Sequence, residues 1–110
     1  MPPSLPVTDS LRLKLNAETA RMPWHDLQRF FAAGLVVVVA DSLDLIEVAV
    51  AFTTDDKATV EAWMRLQEVA RATDAQAERW HAEDPQLWTV VVRPWILVQR
   101  QKLVDTLAKH

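Results

Sequence analysis

The chain has 110 residues, 50% of them hydrophobic, and a formal net charge of -3 at pH 7. This length and apolar content are typical of a single globular domain that builds its own core. The absence of cysteine excludes disulfides, thiolate nucleophiles and cysteine-based zinc sites, and a pI near 5.5 without a dense basic cluster argues against binding to nucleic acid.

The first eight residues contain Pro2, Pro3 and Pro6 and little core-forming sequence. We expect residues 1–8 to form an extended arm that is dispensable for folding, and residues 9–110 to form one domain. The start lacks the basic and apolar pattern of a signal peptide, and no apolar run approaches the roughly 20 residues of a membrane span. The sequence therefore predicts a cytoplasmic protein that does not bind membranes.

The first two helices are predicted from capping residues and proline. Asp9 or Ser10 can cap a helix that should stop near Met22, because Pro23 disfavours helical geometry at the residue before it. Pro23 suits the first turn of a second helix, which Gly34 ends. The run 35–39 is β-branched and apolar on both faces, which predicts a central strand.

Three further helices are predicted between this strand and the second strongly apolar run. Their caps and approximate bounds are Asp41 or Ser42 for residues 43–53, Asp55 or Asp56 for residues 57–66, and Thr73 or Asp74 for residues 73–83. Residues 68–72 have the pattern of a short strand.

The last third of the chain contains a strong strand pattern at residues 87–92, interrupted by Pro94. Residues 95–99 are expected to resume an extended path, although Pro94 could instead open a helix. Arg100 to Lys109 can form an amphipathic end helix. The predicted fold is α+β, with five or six helices around a small sheet containing segments near 35–39, 68–72 and 87–99.

Several stretches together carry a resemblance to a known family. They are residues 17–21 (AETAR), 23–24 (PW), 27–34 (LQRFFAAG), 43–49 (LDLIEVA), Asp56, Trp63 and residues 87–99 (LWTVVVRPWILVQ). Over about residues 11–100 the chain resembles the bacterial domain of unknown function 2288. The resemblance implies a small bacterial protein and supplies no activity or binding residues.

One candidate site lies near the predicted corner between the first two helices. Glu18 and Arg21 precede Trp24 there, and Arg21 could hold an anion with Trp24 as a wall of a pocket. The alternative is that Glu18 and Arg21 form an ordinary surface pair, which contributes little.

A second candidate site is the acidic pair Asp44 and Glu47 on an otherwise apolar helix. If both acids are buried, they must be paired, hydrogen-bonded or neutral, and could then serve as a general acid or base or as ligands of a hard cation. The alternative is that they form ion pairs with Arg21, Arg29 or Arg93, or face water. The pairing hypothesis predicts that neutralising one acid costs about 3–5 kcal/mol.

The motifs of common enzymes and cofactor sites are absent from the sequence. Gly34 is the single glycine, so phosphate-wrapping loops are excluded and we expect no cofactor. His25 and His81 lack the spacing of a zinc motif, and no nucleophile elbow surrounds a serine. The leading hypothesis is a non-enzymatic binding or protein-interaction module.

Self-association is expected through residues 93–99, which contain Arg93 and Trp95. Pro94 cannot donate to a ladder, so this apolar stretch would suit a sheet edge. Such an edge could be covered by the end helix from Arg100 or, in a homodimer, by a second copy of the chain. The alternative function is a small ligand-binding protein or enzyme that uses a pocket of Asp44, Glu47 and Arg21 or Arg93. Convergence of these side chains in one cavity would favour that alternative.

Overall fold

The computed structural model describes residues 7–100. The helices are α1 Val7–Glu18, α2 Trp24–Ala32, α3 Leu45–Thr53, α4 Lys57–Arg65 and α5 Asp74–Glu83. The strands are β1 Ala20–Pro23, β2 Val36–Val39, β3 Val69–Arg71, β4 Gln86–Val92 and β5 Trp95–Gln99. The predicted end helix and residues 1–6 of the predicted arm lie outside the described residues, while Val7 and Thr8 already belong to α1.

The five strands form one mixed sheet in the order β1-β4-β5-β2-β3. The β2–β5 pair is parallel, and the other neighbouring pairs are antiparallel. The α+β prediction is confirmed, and the runs at 35–39 and 87–92 share the sheet as expected. None of the helices within residues 7–100 is both long and apolar enough to cross a membrane.

Helices cover both faces of the sheet, which explains why β2 is apolar on both sides. Val37 and Val39 belong to a core cluster with Leu15 of α1 and apolar residues of α3. Val36 belongs to a second cluster with residues of α2 and α5. A strand with helices on both faces needs apolar side chains at every position.

Local capping sets the starts of several helices. Asp44 accepts a hydrogen bond from the backbone N–H of Ile46, and Asp56 does the same for Thr59 at the start of α4. Gly34 follows α2 with a φ of 77°, a left-handed conformation that glycine adopts at little cost. The predicted cap of α4 and the glycine stop of α2 are confirmed, whereas α3 is capped by Asp44 and not by Asp41 or Ser42.

Two other expectations about secondary structure were wrong. Ala20 to Met22 were predicted as the end of the first helix, but they form β1 through antiparallel pairing with β4. The segment 95–99 is a strand, as expected, yet it lies inside the sheet between β4 and β2. Pro94 falls in the two-residue turn before β5, where its missing N–H interrupts no ladder, so its presence does not require an edge.

Candidate functional site

Two adjoining cavities meet at the β4–β5 hairpin and share Phe52, Val92 and Arg93. We call their joint surface the Arg93 groove. The smaller cavity, of 330 Å³, lies between the end of α3, the start of α4 and the hairpin, and is also lined by Ala51, Asp55, Asp56, Lys57, Val60, Glu61 and Trp95. The larger, of 590 Å³, lies between α1, the end of α3 and the end of β4, and is also lined by Leu11, Lys14, Leu15, Glu18, Thr53 and Val91.

The charges of the Arg93 groove differ between its two ends. At the α4 end, three acids face Lys57 and Arg93, whereas at the α1 end Glu18 faces two bases, Lys14 and Arg93. The Arg93 side chain is exposed and makes no hydrogen bond or ion pair with another residue of the described part of the chain. Its guanidinium is therefore available to an anionic group at the centre of the groove.

The apolar floor of the groove comes from the core itself. Val92 is 7% exposed, and Leu15 and Phe52 pack in or against the cluster on this face of the sheet. The tight turn at residues 93–94 ends β4 and leaves Arg93 exposed above this floor. An apolar floor surrounded by charged groups is typical of a surface that binds peptide segments with both apolar and charged side chains.

Three of the predicted binding residues, Glu18, Arg93 and Trp95, line the groove. Trp95 is half-buried, and the Arg71 guanidinium lies 5.1 Å from its ring centroid. Arg21 lies elsewhere, on β1, with its guanidinium 5.6 Å from the centroid of a neighbouring tryptophan ring. No ion pair joins Glu18 to Arg21 within residues 7–100.

The acidic pair on α3 has a structural explanation. The Asp44 carboxylate caps the helix, 2.9 Å from the Ile46 nitrogen. Glu47 forms a bidentate ion pair with Arg12 of α1, with 3.0 Å between Nη2 and Oε1. An ion pair between one of these acids and an arginine was expected and is present, but the partner is Arg12 and not Arg21, Arg29 or Arg93. The Glu47 side chain is 45% exposed, so the cost predicted for a buried pair does not apply.

The Arg12 guanidinium holds the pKa of the Glu47 carboxyl below its ordinary value. The hydrogen bonds from Arg12 contribute most to this lowering, partial burial opposes it, and the charge of Arg12 adds to it. Neither Asp44 nor Glu47 lines either cavity of the Arg93 groove, and Arg21 is also absent from that lining. The groove is therefore not the acidic and arginine pocket on which the alternative function depended.

Trp24 is buried between α2 and α5 and is only 1% exposed. Its ring contacts Trp80 edge-on at 5.1 Å between centroids, and it borders a separate cavity of 410 Å³ next to His81.

The ring centroids of His25 and His81 lie 5.3 Å apart, so the two histidines are neighbours in the structure. Within residues 7–100, no three His, Asp or Glu side chains are grouped to hold a metal ion.

Lys14, Phe52 and Val91 also line the groove but were not predicted as binding residues. Phe52 and Val91 belong to apolar runs that predict core, and a lone lysine on a helix has no distinguishing pattern. The hairpin itself offered a signal, because Arg93 and Pro94 separate two apolar runs in the manner of a turn. A turn at that point would have placed Val91 and Arg93 together at one end of the sheet.

Comparison with known proteins assigns no activity to this groove. A family model described as "Protein of unknown function (DUF2288)" matches residues 10–100. The NMR solution structure of PA1075 from Pseudomonas aeruginosa is similar to 92% of this chain and 94% of that chain, with 38% sequence identity and a TM-score of 0.73. No curated protein matches the chain.

Proposed function

The chain belongs to the DUF2288 family of proteins of unknown function, and we propose that it is a non-enzymatic binding module that takes a segment of a partner protein into the Arg93 groove. The observation that carries this proposal is the position of Arg93. Its guanidinium, which pairs with no other residue in the part of the chain that the structure describes, stands between two cavities with an apolar floor and opposite charge balance. The similar protein from Pseudomonas aeruginosa agrees with a bacterial origin, and the cytoplasmic location stays a prediction.

The groove specifies the chemistry of the partner segment. Lys14 and Arg93 outnumber Glu18 at the α1 end, so an acidic side chain is favoured there. Next to it, the floor around Phe52 and Val92 accepts apolar side chains. The acids at the α4 end favour a basic residue farther along the segment.

An enzymatic role finds less support in the lining of the groove. A general base or nucleophile needs a second group that orients it within hydrogen-bond reach. The described lining residues contain no histidine or serine, and Asp56 already accepts hydrogen bonds from Thr59 as a helix cap. The groove therefore suits recognition better than catalysis, and no cofactor is part of the proposal.

The proposal can be tested with a displayed library of 12-residue peptides selected against the full chain. We expect enriched peptides that combine an acidic residue with neighbouring apolar residues. Arg93→Glu should weaken the selected peptide by about tenfold or more, the scale of one lost charged contact. Arg100→Glu makes the same charge change at an exposed residue outside the groove lining and should leave affinity unchanged.

Rescue by charge reversal separates direct contact from misfolding. A peptide whose acidic residue is replaced by lysine should recover affinity for Arg93→Glu and lose it for the unaltered protein. If the library enriches no peptide, or if the selected peptides bind Arg93→Glu as tightly as the unaltered protein, the proposed function is wrong.

A further inference from the structure

The outer edge of β4 is only partly covered. Along one side, β4 pairs with β5 from Trp88 to Val92. Along the other side it pairs with β1 only from Gln86 to Thr89, where β1 begins with Ala20. The last three residues of β4, 90–92, therefore have no strand on this side within the described chain.

The backbone of Val91 faces this open side. Val91 lies opposite Ile96, and the Ile96 N–H donates to the carbonyl of Leu35, 2.9 Å away on the β2 side. Because hydrogen-bonded and non-hydrogen-bonded pairs alternate in an antiparallel ladder, the Val91–Ile96 pair is a non-hydrogen-bonded one. The N–H and C=O of Val91 then point away from β5, whereas those of Val90 and Val92 point toward it.

The open edge borders the larger cavity of the Arg93 groove. Val91 and Val92 both line that cavity, and the Val91 side chain is 49% exposed. An unpaired strand edge offers main-chain hydrogen bonds to any extended chain beside it. The edge therefore combines the apolar floor and the Arg93 guanidinium with a main-chain donor and acceptor that pair with no other strand among residues 7–100.

We infer that the partner segment binds as an added β-strand along residues 90–92, in line with β1, with the Val91 N–H and C=O as its main-chain anchors. This inference rests on the proposed function and specifies how the groove is filled. Three extended residues span about 10 Å. The residue opposite Val91 projects its side chain to the exposed face, and its two neighbours project toward the cavity with Leu15 and Phe52.

Charge and register together define the recognised sequence. Both neighbours of the residue opposite Val91 face the cavity, and the one nearer the hairpin lies toward Arg93. The occupant is therefore an extended segment with an apolar residue, a spacer and an acidic residue, in which the spacer pairs with Val91. Proline is excluded at the spacer position because its backbone N–H is needed.

Amide hydrogen exchange, measured residue by residue by NMR on the full chain, tests the inference. In the free protein the Val91 amide should exchange fast, while the Val90 and Val92 amides, which pair with β5, exchange slowly. Saturation with the selected 12-residue peptide should slow exchange at Val91 by at least about tenfold, the population effect expected when the peptide is present well above its Kd. If the peptide binds and shifts the Arg93 signals but leaves Val91 exchange unchanged, strand addition is wrong while the proposed function stands.

Slow exchange at Val91 in the free protein would also overturn the inference. Dilution and sedimentation would then identify the occupant. Protection that disappears on dilution together with a dimer indicates a second copy, and protection in a monomer indicates another segment of the same chain.

A backbone variant provides the second measurement. Val91→Pro removes the N–H at an edge position, and we expect a tenfold or greater loss of peptide affinity, whereas Val91→Ala keeps the N–H and should bind nearly as well. Thermal unfolding establishes that both variants fold. If Val91→Pro does not fold, a peptide methylated on the spacer nitrogen removes the matching donor from the partner, and unchanged affinity for it would contradict the inference.

Discussion

The contact between Arg12 and Glu47 joins two helices that are distant in the sequence. Arg12 also lies 2.9 Å from Asp9 one turn earlier on α1, so its guanidinium bridges two carboxylates. Both partners of the Arg12–Glu47 pair remain partly exposed, and exposed pairs contribute little to stability because water screens them. The pair therefore orients α1 on α3 and is a minor source of stability.

The pH dependence of stability provides a test of this pair. The pKa of Glu47 is lowered in the folded state, so its contribution is present above the unfolded pKa and disappears as the pH falls through the folded pKa. We expect Glu47→Gln to lower the urea midpoint slightly at pH 7, and the difference from the unaltered protein to vanish as the pH falls below the lowered pKa of Glu47. A difference that persists at acid pH would show that Glu47 acts through packing.

Among the helices, α5 has the most completely formed start. Thr73 accepts a hydrogen bond from the Gln76 backbone, and the Gln76 side chain accepts one from the Thr73 backbone. This capping box satisfies two free donors at the helix terminus. The helix then buries Trp80, which is 2% exposed, against Trp24 of α2. The cap therefore fixes the position of an aromatic contact in the core.

Removing the cap should destabilise the domain measurably. Thr73→Ala loses the side-chain acceptor and should lower the free energy of unfolding by about 1 kcal/mol. Thr73→Ser keeps the hydroxyl and should stay close to the unaltered protein. Urea denaturation followed by tryptophan fluorescence measures both variants, and equal stability of Thr73→Ala and Thr73→Ser would mean that the cap contributes nothing.

In the whole molecule, helices cover the apolar centre of the sheet on both faces, and the two edge strands are short. The edge strands β1 and β3 have only four and three residues, and short edges limit unwanted pairing. A dimer surface at residues 93–99 was expected because Pro94 suggested a sheet edge. That argument no longer applies, because β5 lies between β4 and β2. A homodimer stays a prediction that sedimentation of the full chain at micromolar concentration decides.

Deletion of the N-terminal residues tests how much of the chain the domain needs. Since α1 begins at Val7, the prediction of a dispensable arm now applies to residues 1–6, and their removal should change the thermal midpoint by less than about 5 °C. Removal through Asp9 serves as a comparison, because it also takes away a carboxylate that contacts Arg12. If removal of residues 1–6 alone lowers the thermal midpoint by more than about 5 °C, these residues pack on the domain.

Local sequence patterns were sufficient to predict most of the helices and strands and part of the candidate site. The caps at Asp56 and Thr73 and the left-handed stop at Gly34 are short-range effects, since each depends on residues within one helical turn. The doubly apolar run 35–39 likewise predicted a central strand correctly. Arg93 was predicted as a possible partner of the acidic pair, and both Arg93 and Trp95 were predicted as part of an association surface.

Tertiary structure alone decided which elements are neighbours. Ala20 to Pro23 carry no strand pattern and become β1 only through pairing with β4. Arg12 and Glu47 are 35 residues apart, and their approach depends on how α1 crosses α3. Pro94 is compatible with an edge or a turn, and strand order alone separates these possibilities. The open edge at Val91 exists because β1 begins only at Ala20, opposite Thr89. This part of the groove therefore depends on where two segments that are distant in the sequence pair with each other.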